Sequence, residues 1–267
     1  MRCPTKLQPL LSWPGGKRRT APKLIELFPE HETYVSPMAG GAAVFFAKPP
    51  ARRTILSDAD RWLMRFYADV RSGRLRSCQG GILASRGLFE RSKSRTSACH
   101  KLALNKLSYH GDRRTYGARS LAGKVLLAQK LRRLPCYEDK LREARLFAGD
   151  FEAVMRHFDG PKALHFLDPP WPLEYSDRYH GFTRPRHRKS WKKSAFNGAM
   201  DPKHIRQVSE AMKGAVVLVY NDSPGLRALF EGRKGWTTKR IRVHRNVRGR
   251  GAIPDTNLVA IKKARGR

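Results

Sequence analysis

Asp168-Pro169-Pro170-Trp171 is the stretch of this sequence whose residue types indicate chemistry most clearly. It follows an apolar run, residues 163–167, that is typical of a buried strand. Because prolines cannot continue a sheet ladder and hold the backbone extended, the carbonyls here stay available as hydrogen-bond acceptors. A carboxylate, outward carbonyls and a flat ring suit a planar base that bears an exocyclic amine. We therefore predict a reactive centre here, the alternative being an edge strand that ends beside a buried tryptophan.

Two glycine turns lie upstream of this tetrad. The first is Trp13-Pro14-Gly15-Gly16-Lys17, and the second, Pro37-Met38-Ala39-Gly40-Gly41, lies between a predicted strand and a predicted helix. Glycine lets a backbone approach a ligand closely, and lysine adds a positive charge. Neither turn has P-loop or Gly-x-Gly-x-x-Gly spacing, which argues against an NTPase. An ordinary turn remains the alternative for the first motif, and tight strand–helix packing for the second.

Acidic residues follow two further predicted strands. Asp58 comes about twenty residues after the second glycine turn, where a carboxylate commonly binds the hydroxyls of a ribose. Asp150 follows another strand and is placed to touch the edge of an adenine. Each could instead cap a helix, and Asp60 competes with Asp58 for either role. Because the carboxyl ends of parallel strands meet at one sheet edge, we expect these groups to line one site.

Strand–helix alternation predicts an α/β fold with a mostly parallel sheet. Helices are predicted at residues 20–28, 42–47, 61–71 and from 202, and strands at 33–37, 54–57, 145–149, 163–167 and 215–220. Residues 236–243 and 256–262 are predicted to form an antiparallel C-terminal hairpin around a loop at 245–255. The sequence thus predicts one α/β domain, residues 1–72 and 145–267, interrupted by an insertion.

The insertion, residues 73–144, is predicted to be helical and without strands. Helices are expected at 97–109 and 119–134, on either side of a polar turn, 109–117, rich in arginine and tyrosine. Arg113, Arg114 and Tyr116 in this turn are candidate base-reading residues.

The formal net charge of +33 over 267 residues predicts a polyanionic partner. Nucleic acid is favoured over an anionic membrane surface, since phosphate contacts release counterions. Residues 172–200 are densely basic and interleaved with aromatics, and we assign phosphate contacts to Arg184, Arg186, Arg188, Lys189 and Lys192, with a solvated charged face as the alternative. The absence of a long apolar run and of a signal-peptide core predicts a cytoplasmic, nucleic-acid-associated protein that does not enter a membrane. We also expect the protein to be a monomer.

Cys3, Cys78, Cys99 and Cys136 are scattered along the chain. No Cys-x-x-Cys pair and no zinc-like histidine spacing accompanies them. We therefore predict reduced thiols and no structural metal.

These motifs resemble, over roughly residues 10–263, the Dam-type (D12 class) DNA adenine-N6 methyltransferases. Residues 11–17 look like the family's N-terminal Trp-Ala-Gly-Gly-Lys element, 35–45 like its cofactor-binding glycine turn, and 55–60 like the strand whose aspartate binds the cofactor ribose. The tetrad at 168–171 is similar to the catalytic motif. Two departures are Ser36, where the family usually has an acidic residue, and Trp171, where these DNA enzymes usually have tyrosine.

The resemblance implies a Rossmann-like sheet that binds S-adenosylmethionine, with residues 73–144 serving in target recognition. It assigns cofactor binding to Trp13, Gly15, Lys17, Pro37, Met38, Ala39, Gly40, Gly41, Asp58 and Asp150. It also implies transfer of a methyl group to N6 of an adenine flipped out of double-stranded DNA. Trp171 would stack on that adenine, while Asp168 and the Pro169 carbonyl accept its amine hydrogens. The alternatives are an RNA adenine-N6 methyltransferase, which the tryptophan and the charge favour modestly, and a non-catalytic basic protein that coats nucleic acid.

Overall fold

The computed structural model describes residues 3–78, 81–117, 125–170, 200–247 and 251–265. Its strands are β1 (Thr33–Ser36), β2 (Arg53–Asp58), β3 (Ile82–Leu83), β4 (Val125–Leu126), β5 (Ala144–Ala148), β6 (Ala163–Leu167), β7 (Ala215–Asn221), β8 (Trp236–Val247) and β9 (Gly251–Lys262). A seven-stranded sheet has the order β5-β2-β1-β6-β7-β9-β8, and β3 pairs with β4 separately. β2 and β5 are parallel, as are β1, β6 and β7, while β9 runs antiparallel to both β7 and β8. The predicted fold class is confirmed.

The helices are short and mostly end-capped. They are α1 (Ala21–Ile25), α2 (Ala43–Ala47), α3 (Arg61–Arg71), α4 (Arg86–Ser92), α5 (Ala98–Leu107), α6 (Ala128–Leu131), α7 (Leu134–Arg142), α8 (Phe151–His157), α9 (Pro202–Ala211) and α10 (Pro224–Phe230). Asp201 accepts a hydrogen bond from the Lys203 N–H and Pro202 begins α9, as predicted. α3 has the bounds that its apolar spacing predicts.

The described chain divides into two compact units. The first comprises residues 1–25 and 39–148, and the second residues 26–38 and 149–267. Residues 73–144 lie within the first unit, and their role as a separate recognition insertion stays a prediction.

Burial explains the strands of the second unit. β6 is buried along its whole length, and in β7 only Asn221 is partly exposed. Parallel strands that are covered on both faces have continuous apolar sequences, so β6 and β7 could be predicted from the sequence. Residues of β6, β7 and β9 pack into one apolar core with α8, α9 and α10.

Some elements differ from the sequence-based predictions. α1 ends at Ile25 rather than 28, and 119–134 is not one helix, since β4 and α6 lie within its described part. β3 and β4 occur where no strand was predicted, because two-residue strands are too short to show a period-two pattern.

The loop predicted at 245–255 is instead mostly strand: β8 and β9 pair from Trp236↔Lys262 to Val247↔Gly251. Strands pair through their backbone hydrogen bonds, which do not require an apolar pattern. The polar sequence of residues 245–255 therefore did not indicate that the two strands extend into this region.

The prediction of reduced thiols is wrong. Cys3 pairs with Cys136, and Cys78 with Cys99, as disulfides whose Cα atoms lie 5.5 and 5.9 Å apart. Both pairs lie in the first unit, at separations of 133 and 21 residues. Sequence spacing does not report which cysteines meet in space, so linear pattern could not show these contacts.

Neither a membrane-spanning helix nor a metal-binding cluster occurs among the described residues. None of their helices has the length and apolar character needed to cross a membrane. Nor do these residues contain a group of three or more His, Cys, Asp or Glu side chains able to hold a metal ion.

Candidate active site

In the first unit, the second glycine turn is fixed by three hydrogen bonds. The N–H of Ala39 donates to the carbonyl of Ser57 at 2.8 Å, and the N–H of Gly40 donates to Asp58 Oδ2 at 2.9 Å. The Tyr67 hydroxyl donates to the Gly40 carbonyl at 2.6 Å. Gly40 has a φ of +48°, which L side chains rarely adopt. The turn is therefore held rigidly against the carboxyl end of β2.

Asp58 and Asp60 have different roles in this geometry. Asp58 Oδ1 accepts the Asp60 N–H at 3.0 Å, while Asp60 Oδ1 accepts the N–H groups of Trp62 and Leu63 and so caps α3. Burial raises the pKa of the Asp58 carboxyl, against the lowering effect of the two backbone N–H groups that it accepts. The side chain facing the glycine turn is thus Asp58.

Trp13 packs on this glycine turn. A Cβ built on Gly40 would lie 2.7 Å from Trp13 Nε1, and one on Gly41 would lie 3.0 Å from Trp13 Cβ. At Gly40 the added Cβ would overlap the indole, so the indole requires glycine there, whereas at Gly41 the Trp13 Cβ would have to shift slightly. The two glycine motifs, separate in sequence, form one structure, which supports packing as one reason for the second motif.

The first glycine motif, residues 13–17, is held by hydrogen bonds within the motif. Gly15 has a φ of +72°, and the Gly16 N–H donates to the Trp13 carbonyl at 3.0 Å. Lys17 is buried, and its ammonium donates to the Gly15 carbonyl at 2.7 Å. The Lys17 carbonyl accepts the N–H of Ala21 at 2.7 Å, at the start of α1.

Arg113, a predicted base reader, lies against this cluster. Its Nη2 donates to Asp60 Oδ2 at 2.6 Å, and its guanidinium carbon lies 4.3 Å from the Trp62 ring centroid and 5.8 Å from that of Trp13. The side chain is only 15% exposed. An arginine with these contacts holds the polar turn onto the start of α3, a role that the charge pattern of the sequence does not indicate.

The other two candidate base readers are placed differently. Arg114 is exposed, and its N–H donates to Asp112 Oδ1 at 2.9 Å. Tyr116 is half-buried, with its ring centroid 5.5 Å from that of Phe89. Base reading by all three residues stays a prediction.

The residues of the first unit fit a nucleoside cofactor. Asp58 uses one lone pair of each oxygen for the Gly40 and Asp60 N–H groups, and a carboxylate offers about four acceptor sites in all. The remaining acceptor capacity suits the paired hydroxyls of a ribose, at the strand-end position where such carboxylates commonly act.

In the second unit, the tetrad begins where β6 ends. Asp168 is half-buried, Pro169 is buried and Pro170 is exposed. The tetrad thus starts on a fully buried strand, which gives Asp168 a rigid support. Trp171 and the basic candidates lie outside the described residues: Arg184, Arg186, Arg188, Lys189 and Lys192.

Two buried tyrosines lie within electrostatic range of Asp168. Burial raises the pKa of both Tyr34 and Tyr220 well above the usual tyrosine value, and the Asp168 charge adds to this in each case. The charge of Asp201 also raises the pKa of Tyr220. The Tyr220 hydroxyl has no hydrogen-bond partner among the described residues. Neither tyrosine was among the residues predicted from sequence to lie in the site. Their positions in β1 and near the carboxyl end of β7 are the sequence features that could have indicated them.

The remaining predicted cofactor residues of the second unit have structural contacts. Asp150 is exposed, and its Oδ1 caps α8 by accepting the N–H groups of Glu152 and Ala153 at 2.9 and 3.1 Å. Pro37 is buried, and Met38 packs partly buried against the apolar core of this unit. The helix-cap alternative for Asp150 is therefore observed, and its contact with an adenine stays a prediction.

The chain resembles known methyltransferases in sequence. Residues 13–94 match the model of the D12 class N6 adenine-specific DNA methyltransferases. The Type II methyltransferase M.MjaIII of Methanocaldococcus jannaschii is 26% identical over 220 residues, which are 67% of this chain and 74% of that protein. An rRNA methylase from Streptococcus thermophilus aligns in structure with a TM-score of 0.38 and 11% identity, over 92% of this chain and 94% of that one. The sequence matches confirm the predicted resemblance to the D12 class and support DNA adenine-N6 methylation.

Proposed function

From its relationship to the D12 class of N6 adenine-specific DNA methyltransferases, we propose that this protein transfers a methyl group from S-adenosylmethionine to N6 of adenine in double-stranded DNA. The observation that most supports this is the strand-end Asp168-Pro169-Pro170 segment, with its carboxylate on a rigid buried strand. The adenine amine is inaccessible within a stacked duplex, so the target base leaves the helix before it reacts.

Cofactor binding is assigned to the first unit. Asp58 accepts the ribose hydroxyls, and the rigid turn at Gly40, with Trp13 packed on it, forms the adjoining wall. When bound, S-adenosylmethionine supplies an electrophilic methyl group on a sulfonium. The +33 net charge favours a nucleic-acid partner, and the family relationship makes that partner DNA in this proposal.

The residues of the tetrad orient the target amine. Asp168 and the Pro169 carbonyl accept the two amine hydrogens, which increases the electron density available at N6. The buried Pro169 ring and the β6 support fix these acceptors before the base arrives, so little reorganisation is needed during reaction. Trp171 is assigned to stacking on the extruded base.

Substitution of Asp168 tests this assignment. Asp168→Ala should lower transfer of tritium from methyl-labelled S-adenosylmethionine to duplex DNA by about 10²- to 10³-fold or more. DNA affinity should stay within about twofold, since phosphate contacts dominate it. The matched control is Asp139→Asn, because Asp139 is exposed on α7 and pairs with Arg142.

The outcomes separate the proposal from its alternatives. Undiminished labelling by Asp168→Ala would exclude the proposed role of the carboxylate. Labelling of RNA in preference to DNA would show that the protein is an RNA methyltransferase. Failure to bind S-adenosylmethionine would favour the non-catalytic protein that coats nucleic acid.

A further inference from the structure

Three cations converge on residues 8–18 of the first unit. The Lys106 ammonium, from α5, donates to Ser12 Oγ at 3.1 Å, and the Lys130 ammonium, from α6, donates to the Pro9 carbonyl at 3.0 Å. Arg18 Nη1 donates to Gln8 Oε1 at 3.2 Å. Within the described part of the chain, these hydrogen bonds reach only neutral oxygens.

The segment that these cations border is held firmly. The Ser12 N–H donates to Asn105 Oδ1 at 2.8 Å, and Asn105 Nδ2 donates back to the Ser12 carbonyl at 2.9 Å. A Cβ built on Gly111 would lie 2.3 Å from the Ser12 carbonyl oxygen, so residue 12 is packed between α5 and the polar turn. Ser12, which the Lys106 ammonium contacts, therefore has a fixed backbone position.

This arrangement is electrostatically costly in the protein alone. Burial, together with repulsion from Lys130 and Arg18, lowers the pKa of Lys106 from the ordinary lysine value to about 7. Burial and repulsion from Arg18 also lower the pKa of Lys130. Both lysines are only partly buried as residues and Arg18 is exposed, so an anion can approach from solvent. A bound anion would relieve the repulsion.

We propose that Arg18, Lys106 and Lys130 form a binding site for one phosphodiester group of the DNA backbone, a proposal that rests on DNA being the substrate. A phosphodiester carries one negative charge and oxygens that accept from ammonium and guanidinium groups. The site lies beside Ser12 and Trp13, so a phosphate held there would position the DNA relative to the cofactor turn, without reading sequence.

The salt dependence of DNA binding tests the site. Fluorescence anisotropy with a labelled duplex of about 20 base pairs gives the affinity as a function of salt concentration. The double variant Lys106→Met/Lys130→Met should reduce the slope of log K against log salt by about 1, the loss of one phosphate contact. Lys93→Met is the control, since Lys93 also lies in the first unit but is exposed and paired with Glu90; its slope should equal that of the unsubstituted protein.

The pH dependence provides a second readout. Above about pH 7 the Lys106 amine is neutral in the free protein, so binding a phosphate must first take up a proton. DNA affinity should therefore fall between about pH 7 and pH 9, by up to about tenfold per pH unit. Lys106→Arg keeps its charge throughout this range, so its affinity should depend less on pH.

The failures of this site and of the proposed function are distinguishable. A double variant that folds, as judged by thermal unfolding, and keeps the original salt slope would refute the phosphate site while leaving methylation untouched. A double variant that loses S-adenosylmethionine affinity in calorimetry but keeps its DNA salt slope would refute it too, because the cations would then serve the cofactor. Absence of methyl transfer by the unsubstituted protein would instead refute the proposed function.

Discussion

At the scale of single residues, the first unit contains two aspartates with opposite tasks only two positions apart. Asp58 turns to the Gly40 N–H, and Asp60 caps α3 and pairs with Arg113. The sequence indicated that both aspartates follow a strand, but not which of them caps the helix. That distinction depends on which backbone N–H groups each carboxylate accepts in the folded protein. Tyr34 and Tyr220 were missed for the same reason.

Replacement of Asp58 tests its assignment to the cofactor. Asp58→Asn should weaken S-adenosylmethionine binding by about 10- to 100-fold, since a hydrogen bond to a charged group contributes about 1.5–3 kcal/mol. Folding stability should fall by about 1–3 kcal/mol, because the single amide oxygen can replace only one of the two carboxylate oxygens that accept the Gly40 and Asp60 N–H groups. Isothermal calorimetry and urea unfolding measure the two effects. Unchanged cofactor affinity would show that Asp58 is structural.

Arg113 and Arg114 are neighbours with different predicted consequences. Arg113→Met leaves the Asp60 carboxylate partly buried without its partner, and should lower the free energy of unfolding by about 1–3 kcal/mol. Arg114→Met, at an exposed position, should change it by less than about 0.5 kcal/mol. Urea unfolding compares the variants. Equal effects of the two substitutions would contradict this structural role of Arg113, and altered base preference in a stable Arg113→Met protein would support base reading.

At the scale of elements, physical patterns that are local in sequence were predictable. The amphipathic spacing of α3, the Asp201–Pro202 start of α9 and the apolar runs of β6 and β7 each appear where local sequence indicates. The antiparallel pairing of β8 with β9 was predicted, although not its full length. Elements defined by distant pairing were not predictable: β3 with β4 and the two disulfides. Their partners are fixed by tertiary contact, which a single sequence does not display.

The disulfides lead to a prediction about stability. Protein purified without reductant should show no free thiol under denaturing conditions. Cys3→Ser should lower the unfolding free energy by about 5 kcal/mol and Cys78→Ser by about 3 kcal/mol, because the first pair closes the longer loop and removes more chain entropy from the unfolded state. Thiol titration and urea unfolding measure these quantities. Four titratable thiols, with unfolding insensitive to reductant, would contradict the pairing.

At the scale of the whole molecule, the composition predicted the class of partner better than any single side chain. A net charge of +33 opposes folding through self-repulsion, and a polyanion relieves it. The composition could not separate DNA from RNA, since both present phosphates. Only the site motifs, with the matching family model over residues 13–94, favour DNA.

The charge predicts a steep response of binding to salt. Between about 50 and 200 mM salt, affinity for duplex DNA should fall by about 10³-fold or more if several phosphates are contacted. Anisotropy titrations at fixed pH measure this response. An affinity nearly independent of salt would contradict a binding mode dominated by phosphate contacts.

Mass spectrometry of nucleosides tests the central claim most directly. Duplex DNA and RNA of matched sequence are incubated with the protein and S-adenosylmethionine, digested, and assayed for methylated adenosines. The proposal predicts N6-methyl-2′-deoxyadenosine in the DNA digest, and at least about 100-fold less of it when Asp168 is replaced by alanine. A methyl group found only in RNA or on another base, or no methylated nucleoside at all from protein that binds S-adenosylmethionine, would contradict it.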